Sequence, residues 1–272
     1  MSIVFACAGS HAPGVTAWTE AAAKEQVDAI HGGYAQMKQK LAAANVDTLV
    51  LLTSEHWCNY FLDHMGAFSI GLADHYEGPV EPWLKVEKHR LNGDPELAKA
   101  ILENAYRHDF EPNFAHEMML DHGTMVPIHF LLPRPDMSIV PIMFNTLAPP
   151  RPSPARCLAF GKAIGEVLAK SAKRIGIVAT GGLSHDPGEV GHGIIDLEFD
   201  RNFLQAIEAG NLERLASYSD GDLAAAGGGT LELLAWIALA GALGGAKART
   251  VAYEPVVEWA TGMGIVEFDL AA

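Results

Sequence analysis

Five runs of strand length, residues 3–8, 48–53, 138–144, 175–180 and 264–269, constrain this chain's fold more than any other feature. Most are continuously apolar, a pattern that a sheet with one face in water does not show, so both faces of the sheet must be covered. The segments between them supply the cover, with helical patterns at 19–44, 95–108, 153–172, 196–209 and 230–243. Strand and helix alternate, the order that builds a parallel sheet through crossover helices. The expected fold class is α/β, with one central, largely parallel or mixed sheet covered by helices on both faces.

At 272 residues and 49% hydrophobic content, the chain can bury a sizeable core as one large domain or two small ones. The only internal boundary signal is the PPRPSP stretch at 149–154, and strands on both sides of it can join one sheet. A single catalytic domain over 1–272 is therefore expected. Residues 75–121 mix proline, glycine, charges and aromatics around one clear helix; long irregular segments inside compact domains are often functional, and this one reads as a pocket wall.

Lys and Arg number 19 against 33 Asp and Glu, a net charge of −14, which leaves no electrostatic footprint for nucleic acid or an anionic membrane surface. The longest apolar run, 231–246, contains Glu232 and three glycines and falls short of the roughly 20 residues of a spanning helix, so it reads as a buried helix. The opening Met-Ser-Ile-Val-Phe-Ala-Cys has no cationic region of an export signal. Three cysteines, Cys7, Cys58 and Cys157, form no CxxC pair, which suits a reducing compartment and excludes a Cys-rich zinc site. A cytoplasmic protein with small-molecule or protein partners is expected.

Twelve histidines are the informative surplus. In open α/β sheets ligands bind beyond the carboxyl ends of the strands. Strand 3–8 runs into Gly9-Ser10-His11, strand 48–53 into Ser54-Glu55-His56, and strand 175–180 into Gly181-Gly182-Leu183-Ser184-His185. Any one of these alone reads as a loop histidine bonded to backbone; their arrival at one rim is what points to a site. Glu232 is the only charge in 230–243, and a buried carboxylate must be paired, protonated or bound to a metal. The competing reading makes it a helix cap or a dipole partner after Gly227-Gly228-Gly229. Two imidazoles and a carboxylate make a facial triad, the ligand set of non-haem Fe(II) oxygen chemistry.

A fourth histidine lies in Asp121-His122-Gly123, where Asp121 is expected to orient or tune the His122 ring, against the ordinary reading of turn and cap chemistry. His64, His75, His89, His108, His116 and His129 lack such context and read as structural or surface residues, with His192 a secondary addition to the site.

At these residues the chain resembles the class III extradiol ring-cleaving dioxygenases, the family of the protocatechuate 4,5-dioxygenase catalytic subunit. The matching pieces are Ser10-His11-Ala12-Pro13-Gly14, Ser54-Glu55-His56 with Trp57-Cys58-Asn59-Tyr60-Phe61, and Asp121-His122-Gly123-Thr124 with Pro127. They continue with Gly181-Gly182-Leu183-Ser184-His185-Asp186-Pro187 and with Gly228-Gly229-Thr230-Leu231-Glu232 and Trp236, in family order across residues 9 to 236. The Gly-Gly-Leu-Ser-His-Asp-Pro element is the most specific of these.

The resemblance implies Fe(II) held by His11, His56 and Glu232, His185 as the acid–base residue and His122 as a second active-site histidine. It implies a small aromatic diol and O2 as substrates, a ring-opened semialdehyde as product, and a homo-oligomer. Some members close the pocket with a small helical subunit; no stretch here matches one, so either it is another gene product or the 75–121 segment and a neighbouring protomer take its role. Two other readings stay open: a zinc or manganese hydrolase on the same His2Glu set, and a non-enzymatic binding protein of the same fold. A carboxylated ring would want a cationic or amide anchor, and no Arg or Lys can be assigned to it from sequence.

Overall fold

The computed structural model describes residues 2–132, 134 and 136–270, and among them the apolar runs form the middle of one eight-stranded sheet. In chain order the strands are β1 (Ile3–Gly9), β2 (Thr48–Ser54), β3 (Phe68–Gly71), β4 (His75–Gly78), β5 (His89–Asn92), β6 (Asn113–Ala115), β7 (Ser138–Phe144), β8 (Ile175–Thr180), β9 (Ala248–Val256) and β10 (Thr261–Phe268). The spatial order is β6-β3-β7-β2-β8-β1-β10-β9, with β4 and β5 a separate hairpin. The inner four, β7-β2-β8-β1, run parallel. Antiparallel pairings of β3 on β7, β10 on β1 and β9 on β10 make the whole sheet mixed. Strands from both sides of the PPRPSP stretch lie side by side in it.

Side-chain alternation along a strand then divides the core into two layers. Leu49 and Leu51 of β2 pack with Ile30, Tyr34 and Met37 of the helix Lys24–Ala43 on one face. Val50 and Leu52 pack with Phe160 of the helix Pro154–Leu168 and Trp236 of the helix Leu233–Ala242 on the other. Because β2 and β8 are buried along their whole length, their carboxyl ends are fixed relative to one another. No helix among the described residues is long and apolar enough to cross a membrane.

Differences from the sequence reading have local causes. The helix expected from residue 19 begins at Lys24, because a single 3-10 turn at Thr19–Ala21 is followed by extended backbone at Ala22 and Ala23. The run expected at 230–243 divides into a 3-10 turn, Gly228–Glu232, and the helix Leu233–Ala242. Strands β3, β4, β5, β6 and β9 carried no sequence signal: four are three or four residues long, and β9 is a partly exposed edge strand. The irregular 75–121 segment contains three of them beside the helix Pro95–Arg107.

Away from the site, Asp94 joins several elements at the amino end of the sheet. Its carboxylate caps the helix Pro95–Arg107 through the Leu97 N–H (3.2 Å) and accepts from Thr48 Oγ1 (2.7 Å) and Lys173 Nζ (2.6 Å). Burial pushes this carboxyl up, but the Lys173, Thr48 and Leu97 hydrogen bonds outweigh it and hold the group below its ordinary value. Its contribution is therefore present above the unfolded-state pKa and lost as pH falls through the folded one. Asp94→Ala is expected to destabilise the fold by about 2 kcal/mol in urea denaturation at neutral pH, with a smaller difference from wild type in acid.

Candidate active site

Three neighbouring strands deliver the histidines. β8 lies between β2 and β1, so the loops that follow these strands start side by side. After β1, the Ser10 N–H donates to Gly264 O (2.9 Å), Ser10 Oγ accepts from the Gly264 N–H (2.9 Å), and the Tyr34 hydroxyl donates to Ser10 O (2.5 Å), which fixes the backbone before buried His11. After β2, Glu55 accepts the N–H groups of Trp57, Cys58 and Asn59, turning the chain tightly enough to put Trp57 at φ 59°. After β8, the backbone turns at Gly181 (φ 134°), where a Cβ would press on Glu232. The His185 N–H donates to Thr230 Oγ1 (3.2 Å) and the Gly229 N–H to His185 O (3.0 Å), so the histidine loop and the Glu232 turn are joined.

The structure brings His11, His56, His122, His185 and Glu232 together around one cavity of about 550 Å3. Glu232 Oε1 lies 2.9 Å from His56 Nε2 and 3.3 Å from His11 Nε2. Glu232 Oε2 accepts the Gly182 N–H (2.7 Å) and sits 3.5 Å from His185 Nε2. The carboxylate caps no helix terminus, which removes the capping alternative. Ring centroids of His56 and His122 are 4.0 Å apart and those of His11 and His56 are 5.1 Å apart.

Ring tautomers follow from the partners. His56 Nδ1 faces Asp121 Oδ2 (3.0 Å), His122 Nδ1 faces Glu81 Oε1 (2.6 Å), and His185 Nδ1 faces Leu183 O (2.7 Å). A carboxylate or carbonyl oxygen only accepts, so each Nδ1 carries a proton and each Nε2 is the nitrogen turned to the cavity. On His56 that nitrogen meets the Glu232 carboxylate, so a proton or a metal cation lies between them. Burial alone would lower the His56 pKa, yet Asp121 and Glu232 raise it well above the ordinary value. Burial would raise the Glu232 carboxyl, but His11 and His185 hold it well below the carboxylate range. Against the same burial penalty, His56 holds Asp121 at about 2. His122 goes the other way, lowered by burial and by His56.

These donors fit a divalent metal. With bonds of about 2.1 Å, ligands at right angles lie about 3 Å apart, close to the separations at Glu232 Oε1. The carboxylate on the far nitrogen of His56 is the usual second partner of a metal-binding histidine. His11 departs from that pattern, since its Nδ1 is buried without a partner. His122 also brings a nitrogen within 4.8 Å of those of His11 and His56, making a three-imidazole set a geometric alternative.

Asp121, expected to serve His122, instead holds both the ring and the N–H of His56 and caps the helix His122–Leu131 through the Gly123 N–H. Adjacent residues at a helix start diverge, so His122 takes its carboxylate from Glu81, 41 residues earlier in sequence. Glu81, Trp18, Glu258 and Trp259 had no sequence signal: each lies in a loop or short turn without periodicity. His192, weakly marked, lines the cavity. His108 pairs with Glu166 on the surface.

The family described as the catalytic LigB subunit of aromatic ring-opening dioxygenase matches residues 6–264. The chain belongs to this family. As a LigB-family protein it is an extradiol ring-cleaving dioxygenase, an oxidoreductase acting on aromatic compounds. It is similar to 2,3-dihydroxyphenylpropionate/2,3-dihydroxicinnamic acid 1,2-dioxygenases. The identity to the one from Photorhabdus laumondii is 26%, over 86% of this chain and 87% of the relative. The one from Rhodococcus is also 26% identical, over 95% and 96% of the two chains. The uncharacterised protein JW3007 of Escherichia coli K12 shares the fold, with a TM-score of 0.56 at 15% identity over 87% of this chain and 92% of that one.

Proposed function

We propose that His11, His56 and Glu232 hold Fe(II) and that the enzyme opens a catecholic or related ortho-dihydroxy ring outside the diol, with His185 and His122 as the proton-handling residues. The observation that carries this reading is the convergence of two imidazole Nε2 atoms on one buried carboxylate oxygen beside a cavity that admits a small aromatic ring. Bound there, Fe(II) supplies open coordination positions for the diol and the redox chemistry that lets the ring react with O2. The protein residues supply proton control.

His185 is oriented as a base. Its Nδ1–H is engaged by Leu183 O, so the Nε2 lone pair is the group that takes a phenol proton, and the resulting imidazolium returns that proton to the leaving oxygen later in the reaction. Burial and His56 lower the His122 pKa, and its Nε2 accepts a hydrogen bond from a hydroxyl or, once protonated, donates to a developing oxyanion. Glu81, which bonds both the ring and the N–H of His122, is a positioning residue. Glu81 and the neighbouring Trp83 come from the 75–121 segment, which supports the reading in which the chain walls its own pocket.

A His2Glu zinc hydrolase is the rival on the same ligands. Anaerobic loading with Fe(II) or Zn(II), followed by a catechol and air, separates the two: ring-opened product with iron only is expected, and equal turnover with zinc would overturn the proposal. A second outcome follows from Gly229, where a Cβ would collide with the His185 ring. Gly229→Ala is expected to lower kcat by about a hundredfold with iron content and melting temperature near wild type, because displacing a proton-transfer group by about 1 Å has effects of that size.

A further inference from the structure

Among the described residues, the cavity that holds the five clustered side chains is lined by no lysine or arginine. Its mouth carries the opposite charge. Glu258 lies in the turn Val257–Trp259 between β9 and β10, exposed to solvent at the cavity edge, beside the buried Trp259. Trp18 is the facing wall: a Cβ on Gly14 would collide with the Trp259 indole and lie 2.8 Å from Trp18 Nε1, so both indoles close over the same backbone. Trp18 continues to Trp83 (centroids 6.2 Å apart) and Trp83 to His122 (6.0 Å), a run of indoles from the rim to the histidines.

His192 lines the cavity, where its Nδ1 accepts the Gly188 N–H (3.1 Å). Lys85, two residues past Trp83, faces Glu20 at 3.6 Å. Deeper in, Asp121 and Glu232 face His56 and Glu81 faces His122, so these carboxylates are offset within the cluster and by the bound Fe(II), and the charge at the mouth is left to Glu258. The buried Trp259 Nε1–H has no partner, yet one neutral donor does not offset the cost of desolvating a carboxylate. Indole faces and a carboxylate attract cations.

We propose that this pocket selects catechols whose ring substituent is uncharged or positively charged, and rejects those bearing a carboxylate, with Glu258 as the residue that sets the preference. The inference rests on the ring-cleaving reading above. It sets this chain apart from its named relatives, whose phenylpropionate substrate carries a carboxylate.

The test uses Fe(II)-loaded enzyme and three catechols of similar length, bearing aminoethyl, ethyl or carboxyethyl groups, each as the 3- and 4-substituted isomer. Dissociation constants are measured without oxygen; air is then admitted and ring-opened product recorded. Relative to the ethyl reference, the aminoethyl ring is expected to bind about tenfold more tightly than the carboxyethyl ring at low salt, a gap that narrows as salt screens the exposed Glu258. Glu258→Gln should remove most of the gap and Glu258→Lys should invert it. Tightest binding by the carboxyethyl ring in wild type, or a gap indifferent to both substitutions, overturns the inference. A charge preference in binding with no ring-opened product from any of the rings would retain this inference and sink the ring-cleaving reading; efficient opening of the carboxyethyl ring alone would do the reverse.

Discussion

Replacing His11, His56 or Glu232 by alanine is expected to strip iron from the protein and abolish ring opening, while circular dichroism and the unfolding transition stay close to wild type. Each substitution removes one of the three proposed protein ligands, and loss of any one leaves too few to retain a labile divalent ion. The fold should survive because the sheet ends that carry these residues are fixed by the two apolar layers rather than by the cluster. Glu232→Ala also removes the carboxylate on which two imidazoles converge, so the metal-free variant loses an ion-pair network while its apolar neighbours remain. His122→Phe is the discriminating control. If His122, rather than Glu232, completed the ligand set, His122→Phe would lose iron and Glu232→Ala would keep it. Full iron in a folded Glu232→Ala variant would remove that residue from the metal site.

The second large effect concerns His185. His185→Phe leaves all three proposed ligands in place, so iron and anaerobic catechol binding should be retained while kcat falls by roughly 10²–10⁴-fold, the usual contribution of a positioned acid–base group. A nitrocatechol, whose phenol ionises more easily, needs less help and should lose less. Equal losses on both substrates would make His185 a positioning residue. The orientation behind this expectation is the Nδ1 contact to Leu183 O, which leaves Nε2 as the only nitrogen free to accept a proton.

Much of this site was legible in sequence because it sits where buried strands end. The apolar runs of β1, β2 and β8 identify themselves by composition, and His11, His56 and His185 follow them within five residues. Glu232 stood out as the one charge in an apolar run, though its role depended on knowing that the Gly181–His185 loop packs against it. What sequence did not show was pairing across distant loops. Asp121 reads as the neighbour of His122, but the helix it caps turns His122 towards Glu81 and leaves Asp121 facing His56. The pocket mouth was equally opaque: Trp18, Glu258 and Trp259 come from short turns whose positions depend on tertiary packing rather than on any period in the sequence. The edge strand β9 and the short strands β3, β4, β5 and β6 escaped detection because a partly exposed or three- to four-residue strand has no continuous apolar signature.

Oxygen-isotope labelling tests directly whether this cavity uses iron to insert O2 into a diol ring beside the two hydroxyls. The anaerobic complex of Fe(II)-loaded enzyme with a catechol it binds is exposed to oxygen-18 gas, and the ring-opened product is examined by mass spectrometry under rapid quench. A semialdehyde product carrying two oxygen-18 atoms, one of them in the readily exchanged aldehyde, is expected in wild type and none in Glu232→Ala. A product whose new oxygen comes only from water, or a dicarboxylate formed by cleavage between the two hydroxyls, would contradict it.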